Sequence, residues 1–178
     1  MTKLRLIKCK TDDFVRITEF YKYVIDNSPT METCGRWIYG KHPTDEMIKS
    51  YIDGEYMYYV EKDHTIIAAV ALTPFQTEDY HPVNWSVSLN DNEVFVVHIL
   101  CVNPSCQKQG IARQIMEEVV SLAKNIGMGA VRLDALCCNE PAHKLYENCG
   151  FIKRGIQNWY ADNTGWIDFY LYEIVLGS

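Results

Sequence analysis

Apolar side chains in the first third of the chain recur at helical spacing in two places. The first stretch is capped near Thr11. Apolar residues that are three or four positions apart in this stretch form one face of the predicted helix: Phe14, Ile17, Phe20, Tyr21 and Val24. The second stretch is capped by Thr44 and ends at Gly54. A short strand with alternating faces is predicted over residues 4–8, and a loop over residues 27–43, which hold two prolines and two glycines.

From Tyr56 onward the period changes to that of strands. Tyr56–Val60 and Thr65–Thr73 are rich in β-branched and aromatic residues and flank a polar turn, which predicts a hairpin. Phe75–Asn92 mixes polar and aromatic residues without a period and is predicted to be a long loop. Glu93–Val102 is nearly continuously apolar, as is typical of a strand that is buried on both faces.

The second half of the chain alternates strands with helices. An apolar stripe that starts at Gly110 predicts a helix over about residues 110–126, and the strand Ala130–Leu136 follows it. A strand, a helix and a strand of this length predict a right-handed parallel crossover. Asn139 is predicted to cap a short helix, and Phe151–Tyr160 and Ile167–Leu176 are predicted to form antiparallel strands. The pattern as a whole predicts an α/β protein with a mixed sheet.

Composition and charge narrow the class of protein. The chain has 178 residues, of which 48% are hydrophobic and 22% charged, so we expect one folded domain and not a disordered chain. Lysine and arginine number 17 against 23 aspartates and glutamates, which gives a net charge of −6. An acidic chain is a poor non-specific binder of nucleic acid and attracts cationic partners such as amines.

Cysteine usage and the apolar runs predict a soluble cytoplasmic protein without a metal. The seven cysteines are odd in number and include no C-x-x-C pair, which argues against a disulfide framework and a zinc ribbon. Four residues of types that bind metals lie close together in the sequence, but their spacing matches no known pattern of zinc ligands: Cys137, Cys138, His143 and Cys149. Residues 1–8 lack the apolar stretch of a signal peptide, and the longest apolar runs, Ile66–Leu72 and Val94–Cys101, are too short to span a membrane.

The segment Gln107–Ala112, between the apolar strand and the next helix, carries the clearest candidate chemistry. A loop that enters a helix N-terminus presents unpaired backbone N–H groups and the positive end of the helix dipole to an anion. Small side chains at Gly110 and Ala112 let a phosphate approach the backbone, and Lys108 and Arg113 add positive charge. The alternative from spacing alone is a tight turn in which glycine only suits the bend.

Two segments resemble motifs of the GNAT superfamily of N-acetyltransferases. Val97–Ala112, with Gln-Lys-Gln-Gly-Ile-Ala after an apolar strand, resembles the family's acetyl-CoA-binding motif, and Asn139–Phe151 resembles its next motif in order and distance. The resemblance covers Val97–Phe151 and implies a single GNAT domain over residues 1–178. It implies a mixed, mostly antiparallel sheet of about six or seven strands, splayed between strands 4 and 5 and flanked by about four helices.

The resemblance also implies where acetyl-CoA binds. Pantetheine would lie along Leu100, Cys101 and Val102, in the gap between the splayed strands. The pyrophosphate would rest on the main-chain N–H groups of the loop and first helical turn: Gln107, Lys108, Gln109, Gly110, Ile111, Ala112 and Arg113. Asn139 would bond the cofactor arm, Tyr146 would lie near the thioester sulfur, and no metal is implied.

Tyr146 is the candidate general acid. The departing thiolate, whose thiol has a pKa close to that of cysteine (~8.5), can take a proton from the hydroxyl of Tyr146. Tyr146 also falls on the buried face of its helix, so a core role is the alternative.

The candidate base is His98, which matches a histidine of arylalkylamine-type members of the family. Val96 stands where the histone-acetylating branch of the family has a glutamate. A satisfied core histidine is the alternative at His98, and Glu93 and Asp134 are further candidates for the base.

These features predict an acetyl-CoA-dependent N-acetyltransferase that transfers an acetyl group to a primary amine by direct attack in a ternary complex. The acceptor is a small amine or a peptide or protein amine. The alternative from another class is a non-catalytic acyl-CoA-binding regulatory module with the same fold. Side chains in loops or at strand ends are candidates for the acceptor pocket: Trp37, Tyr39, His42, Trp85 and Trp159. The C-terminal strands are candidates for a homodimer interface.

Overall fold

A computed structural model describes residues 4–177 of the chain as one mixed sheet flanked by helices. Residues 1–3, which belong to the segment considered for a signal peptide, lie outside the described residues. The sheet has seven strands in the order β1-β2-β3-β4-β5-β7-β6. Their bounds are β1 Ile7–Lys8, β2 Met57–Lys62, β3 Thr65–Thr73, β4 Val94–Val102, β5 Ala130–Leu136, β6 Ile152–Ala161 and β7 Gly165–Val175. The expected α/β class with a mixed sheet is confirmed.

Four α-helices pack on this sheet within residues 4–177: α1 Phe14–Asn27, α2 Asp45–Asp53, α3 Ile111–Asn125 and α4 Glu140–Asn148. Two predicted caps are present. The hydroxyl oxygen of Thr44 accepts a hydrogen bond from the Met47 N–H at 3.0 Å, and Oδ1 of Asn139 accepts one from the Ala142 N–H at 3.4 Å. The first strand is shorter than predicted, because residues 4–6 pack against the core without strand pairing.

The sheet opens between its two parallel strands, as expected. Strands β4 and β5 are paired from Val94 and Ala130 to Val97 and Leu133, and not beyond. After this point β4 stays with β3, whereas β5 stays paired with β7 as far as Leu136. The edge of β4 that faces β5 is therefore unpaired from residue 98 onward, and a gap runs between the two strands.

A bulge in β4 accompanies this opening, and the sequence pattern did not predict it. Two residues, Ile99 and Leu100, lie opposite the single residue Val70 of β3, because the pairing shifts between positions 69 and 71. Ile99 has a φ of 43°, which is strained for a β-branched residue. The buried hydroxyl of Tyr21 donates a hydrogen bond of 2.8 Å to the Ile99 carbonyl and so holds the bulge from helix α1.

A buried ion pair fixes the long loop that precedes β4. Arg132 of β5 and Glu173 of β7 are each 1% exposed, and Nη2 and Nε of the arginine donate to Oε1 of the glutamate at 2.9 and 3.1 Å. Arg132 also donates to the side-chain oxygen of Gln76 at 2.7 Å and to the carbonyl of Val87 at 3.1 Å. Its guanidinium lies over the Trp85 ring, 4.2 Å from the centroid. The loop therefore covers the sheet through polar contacts and not only through apolar ones.

Replacing Arg132 with methionine should strongly destabilise the fold, because it leaves the Glu173 carboxylate buried without its main partner. Removing one member of a buried pair costs about 3–5 kcal/mol of unfolding free energy. Lys49→Gln is the matched control, since it removes one cation from the exposed Lys49–Asp53 pair. It should change stability by no more than about 0.5 kcal/mol. Urea unfolding at pH 7 measures both, and equal losses would contradict the role given to Arg132.

Candidate active site

The gap between β4 and β5 is the floor of a cavity of about 680 Å³. Its walls come from β4 and β5 beyond their last paired residues, the N-terminal ends of α3 and α4, the segment between α1 and α2, and the turn between β6 and β7. With one exception, the residues predicted to bind the cofactor line it: Leu100, Cys101, Val102, Gln107, Lys108, Gly110, Ile111, Ala112, Arg113, Asn139 and Tyr146. The exception is Gln109, whose side-chain amide donates to the Ser105 carbonyl at 3.3 Å.

The loop before α3 forms a cradle of free backbone N–H groups. Within residues 4–177 the N–H groups of residues 108–113 have no hydrogen-bond partner, and the first that has one is Gln114, which donates to the Gly110 carbonyl at 3.1 Å. Lys108 and Gly110 have φ angles of 60° and 76°, so the chain twice takes the left-handed conformation there. Successive N–H groups in such a turn converge on one point and bind anions.

Side chains behind the loop hold it in place. Oδ1 of Asn103 accepts hydrogen bonds from the Ser105 N–H at 3.0 Å and from its hydroxyl at 2.8 Å. The Gln107 side-chain amide donates to the Val102 carbonyl at 3.3 Å. The side chains of the residues just before the cradle therefore hold it in place, and none of its six free N–H groups is used for this.

His98 lies in the cavity, at the first position of β4 that is no longer paired with β5. Its Nε2 is 3.0 Å from the Thr73 hydroxyl oxygen, and that hydroxyl donates to the Phe75 carbonyl at 2.8 Å. Since the hydroxyl proton is used, we assign Nε2–H as the donor to Thr73, which leaves Nδ1 as an acceptor. The ring stacks on Tyr51 with centroids 5.5 Å apart. Burial, with a smaller effect of His42, lowers the pKa of His98 to about 4.

This lowered pKa predicts a loss of stability in acid. The unfolded chain binds a proton at His98 below a pKa of about 6.5 and the folded chain only below about 4, so stability falls as the pH falls through this interval. Between pH 7 and pH 4.5 the wild type should lose about 2 kcal/mol more than His98→Gln. His64→Gln, at a fully exposed ring, should behave as the wild type. Urea unfolding at the two pH values tests this, and parallel losses in wild type and His98→Gln would contradict it.

Tyr146 of α4 is 8% exposed and lines the same cavity. Its ring contacts those of Phe151 and Tyr172, with centroids 6.1 and 5.8 Å away. Its hydroxyl has no hydrogen-bond partner in the described part of the chain, whereas the Tyr172 hydroxyl pairs with Nδ1 of His143 at 2.9 Å. Burial, followed by the charge of Asp134, raises the pKa of Tyr146, so the phenol stays protonated. The ring is thus part of the core and also lines the cavity, and its phenol keeps its proton.

Asp134 is the first residue of β5 beyond the last pair with β4, and it also lines the cavity. Its Oδ1 accepts a hydrogen bond of 2.6 Å from the Tyr80 hydroxyl. Burial raises the pKa of this carboxyl above its ordinary value, and the hydrogen bond from Tyr80 offsets only part of that rise. The other candidate base, Glu93, lies outside the cavity, where its carboxylate accepts the Asn90 N–H at 2.6 Å.

The candidates for the acceptor pocket separate into two sets. Trp37 and His42 line the cavity. Tyr39, Trp85 and Trp159 do not: Tyr39 pairs with Asp45, and the two tryptophans pack around Tyr80. Other wall residues carry no sequence signal for a site, among them Ser28, Thr30, Met31, Cys34, Gly35, Tyr51, Ala161, Asn163 and Phe169.

A family model for the "Acetyltransferase (GNAT) family" matches residues 20–151, which is most of the chain and includes the cradle, the gap and α4. The chain belongs to the GNAT family. This match confirms the resemblance drawn from the two motifs.

Curated proteins similar to this GNAT chain are named as N-acetyltransferases. One is the "Probable N-acetyltransferase camello" of Xenopus laevis, 32% identical over 90 residues, which are 47% of this chain and 40% of that protein. Another is the N-alpha-acetyltransferase RimI of Mycobacterium tuberculosis, 31% identical over 71 residues, which are 40% of this chain and 43% of that protein. The chain thus matches only about two fifths of the length of each of these relatives.

A solved structure with the same fold was determined with its cofactor acetyl-CoA. It is the protein yncA of Salmonella typhimurium, which superposes with a TM-score of 0.70 over 99% of this chain and 96% of that one, at 12% identity. At this identity the likeness shows the fold, which is the GNAT fold expected from the motifs. Free N–H groups at a helix N-terminus are the donors that bind phosphate groups, so the cradle at residues 108–113 of this GNAT chain fits such a cofactor.

Two further observations concern metals and membranes. Within residues 4–177, no three histidine, cysteine, aspartate or glutamate side chains are grouped so that they could hold a metal ion. No helix in the same range is long and apolar enough to cross a membrane.

Proposed function

We propose that this GNAT protein transfers an acetyl group from acetyl-CoA to a primary amine while both are bound. One observation carries the proposal: a single cavity joins the cradle of free N–H groups to His98, Asp134 and Tyr146. An anion-binding loop alone would only hold the cofactor. A neutral imidazole, a carboxylate and a protonated phenol around the same gap add the groups that acyl transfer to an amine needs.

In this proposal the cofactor is held mainly by the backbone. Residues 108–113 bind the pyrophosphate through their N–H groups, and the unpaired edge of β4 at Leu100–Val102 bonds the amides of pantetheine as a neighbouring strand would. Nδ2 of Asn139 is free to bond the same arm, because only its Oδ1 is used in capping α4. Bound acetyl-CoA supplies the activated thioester.

The protein's part in the chemistry is the transfer of protons. The amine nitrogen forms a bond to the acetyl carbon, and the bond from that carbon to sulfur breaks. Nδ1 of His98 takes the proton that the amine loses, since Nε2 is already bonded to Thr73. The Tyr146 hydroxyl donates its proton to the departing thiolate, and a main-chain N–H of β4 stabilises the oxyanion between the two steps.

The compartment is a smaller part of the proposal. All seven cysteines are free thiols in the fold. Free thiols are typical of a reducing compartment, which supports a cytoplasmic location.

Release of free CoA in the presence of a broad panel of primary amines tests the function, after calorimetry has established acetyl-CoA binding to the reduced protein. Saturable binding with amine-dependent CoA release supports an acetyltransferase. Binding of acetyl-CoA without turnover of any amine would instead favour the regulatory module. ATP and dephospho-CoA serve as controls for the specificity of binding.

A further inference from the structure

The amine acceptor can be characterised from polar atoms that the protein leaves unpaired. Two side-chain oxygens, Oγ of Ser28 and Oδ1 of Asn163, are buried and have no hydrogen-bond partner within residues 4–177. Both residues line the cavity, Ser28 at the end of α1 and Asn163 in the turn between β6 and β7. Buried polar atoms are nearly always paired in folded proteins, so two orphans in one cavity indicate a ligand that supplies the missing partners.

A third acceptor atom lies in the same cavity. Only Oδ1 of the Asp134 carboxylate is bonded to the protein, through Tyr80, and within residues 4–177 its Oδ2 has no partner. Asp134 forms no ion pair in this range either, and the lysine and the arginine among the cavity residues, Lys108 and Arg113, belong to the cradle. A partly buried carboxylate without a cation is stabilised when a ligand supplies one.

All three of these oxygens can accept hydrogen bonds, and two of them, in the amide and the carboxylate, can only accept. Outside the cradle, the other titratable cations lining the cavity are His42 and His98, and burial lowers the pKa of both, so they are neutral at physiological pH. The cavity walls outside the cradle therefore attract hydrogen-bond donors and cations. They hold no permanent cation that could bind a carboxylate.

The same walls restrict the size of the acceptor. The segment between α1 and α2 is tied to the β6–β7 turn by a hydrogen bond of 2.8 Å from Nδ2 of Asn163 to the Arg36 carbonyl. It is also in contact with the β5–α4 loop, where Sγ of Cys138 lies 3.6 Å from the Cys34 carbonyl. These links fix the segment on two sides of the cavity and limit its width, which favours a small molecule over a folded protein.

We propose, on the basis of the acetyl transfer proposed above, that the acceptor is a small cationic amine with at least one further hydrogen-bond donor and no carboxylate. Asp134 pairs with an ammonium group of the acceptor. Ser28 and Asn163 accept hydrogen bonds from its other donor groups. Diamines and amines with a distal hydroxyl belong to this class, and α-amino acids do not.

Pairs of compounds that differ only in a carboxylate test the proposal directly. We would measure kcat/KM with cadaverine against lysine, putrescine against ornithine, and tyramine against tyrosine, and would include butylamine and a peptide with a free N-terminus. The member without a carboxylate should be better by about tenfold or more in each pair, which is the ratio that about 1.4 kcal/mol produces. Both diamines should also exceed butylamine, which has no second donor.

The other outcomes distinguish this inference from the function on which it rests. Equal or better turnover of the amino acids or of the peptide would overturn the inference and leave the acetyltransferase standing. Bound acetyl-CoA without turnover of any compound would overturn the proposed function itself.

Variants supply a second readout that does not depend on turnover. Asp134→Asn should weaken binding of cadaverine to the CoA-loaded protein by about tenfold or more in calorimetry, with an unchanged Kd for acetyl-CoA as evidence that the fold is intact. If Asp134→Asn does not fold, Ser28→Ala replaces it, since this change removes an unpaired hydroxyl. It should weaken binding of cadaverine to the CoA-loaded protein in the same calorimetric titration without lowering the unfolding temperature, and an unchanged Kd for cadaverine would contradict the role of Ser28.

Discussion

Replacing Gly110 with aspartate should abolish measurable acetyl-CoA binding while the protein stays folded. Gly110 has a φ of 76°, and a Cβ built on it meets no protein atom within 4 Å. A new side chain would therefore extend into the space beside the free N–H groups of residues 108–113 and would bring a negative charge to the cofactor phosphates. Like charges in contact cost several kcal/mol, so we expect a loss of affinity of at least about 100-fold.

Gly127, at the other end of α3, is the matched control for this change. Its φ is 80°, and its Cβ position is also free of protein atoms within 4 Å. Gly127→Asp carries the same charge in the same left-handed conformation, next to the negative end of the helix dipole, so it should destabilise the fold at least as much. It should nevertheless bind acetyl-CoA as the wild type does in calorimetry. Retained affinity in Gly110→Asp would reject the cradle as the pyrophosphate site.

The parts of this fold that the sequence predicts best depend on local patterns. Strand Ala130–Leu136 has the bounds that its apolar residues predict, and α3 begins and ends within one residue of the predicted positions. Glycine at both ends of α3 and one apolar stripe define that helix without reference to the rest of the chain. The first strand is different, because only Ile7–Lys8 finds a partner in β2. Alternation predicts the faces of a strand but not the extent of its pairing.

The parts that the sequence does not predict depend on contacts between distant residues. The hydroxyl of Tyr21 reaches Ile99 in the bulge of β4, 78 positions along the chain, and Asn163 reaches Arg36 across 127 positions. Tyr21 fits the apolar face of α1 so well that its pattern gives no sign of the polar contact. Asp134 is visible in the sequence as a charge in an apolar strand, but its place in the same cavity as His98 follows only from the parallel register of β4 and β5 and the opening beyond it.

Replacing Tyr146 with phenylalanine should lower kcat by about 100-fold and leave the Kd of acetyl-CoA nearly unchanged, because a positioned general acid contributes about 10²–10⁴-fold. The change removes one unpaired hydroxyl and keeps the ring contacts with Phe151 and Tyr172. If Tyr146 were only a core residue, the loss of an unbonded hydroxyl would affect neither stability nor turnover. The two roles therefore predict different rates for the same variant, which single-turnover measurements of CoA release can separate.

Tyr172→Phe is the control for this comparison. It removes the hydroxyl of the neighbouring ring. That hydroxyl is bonded to Nδ1 of His143, and Tyr172 does not line the cavity. Losing this buried hydrogen bond should cost about 1 kcal/mol of stability and leave kcat within about twofold of the wild type. A general acid at Tyr146 thus predicts opposite results for two adjacent tyrosines, with turnover lost in one variant and stability lost in the other. Unchanged turnover in Tyr146→Phe would exclude its role as the proton donor and would leave the thiolate to be protonated by water.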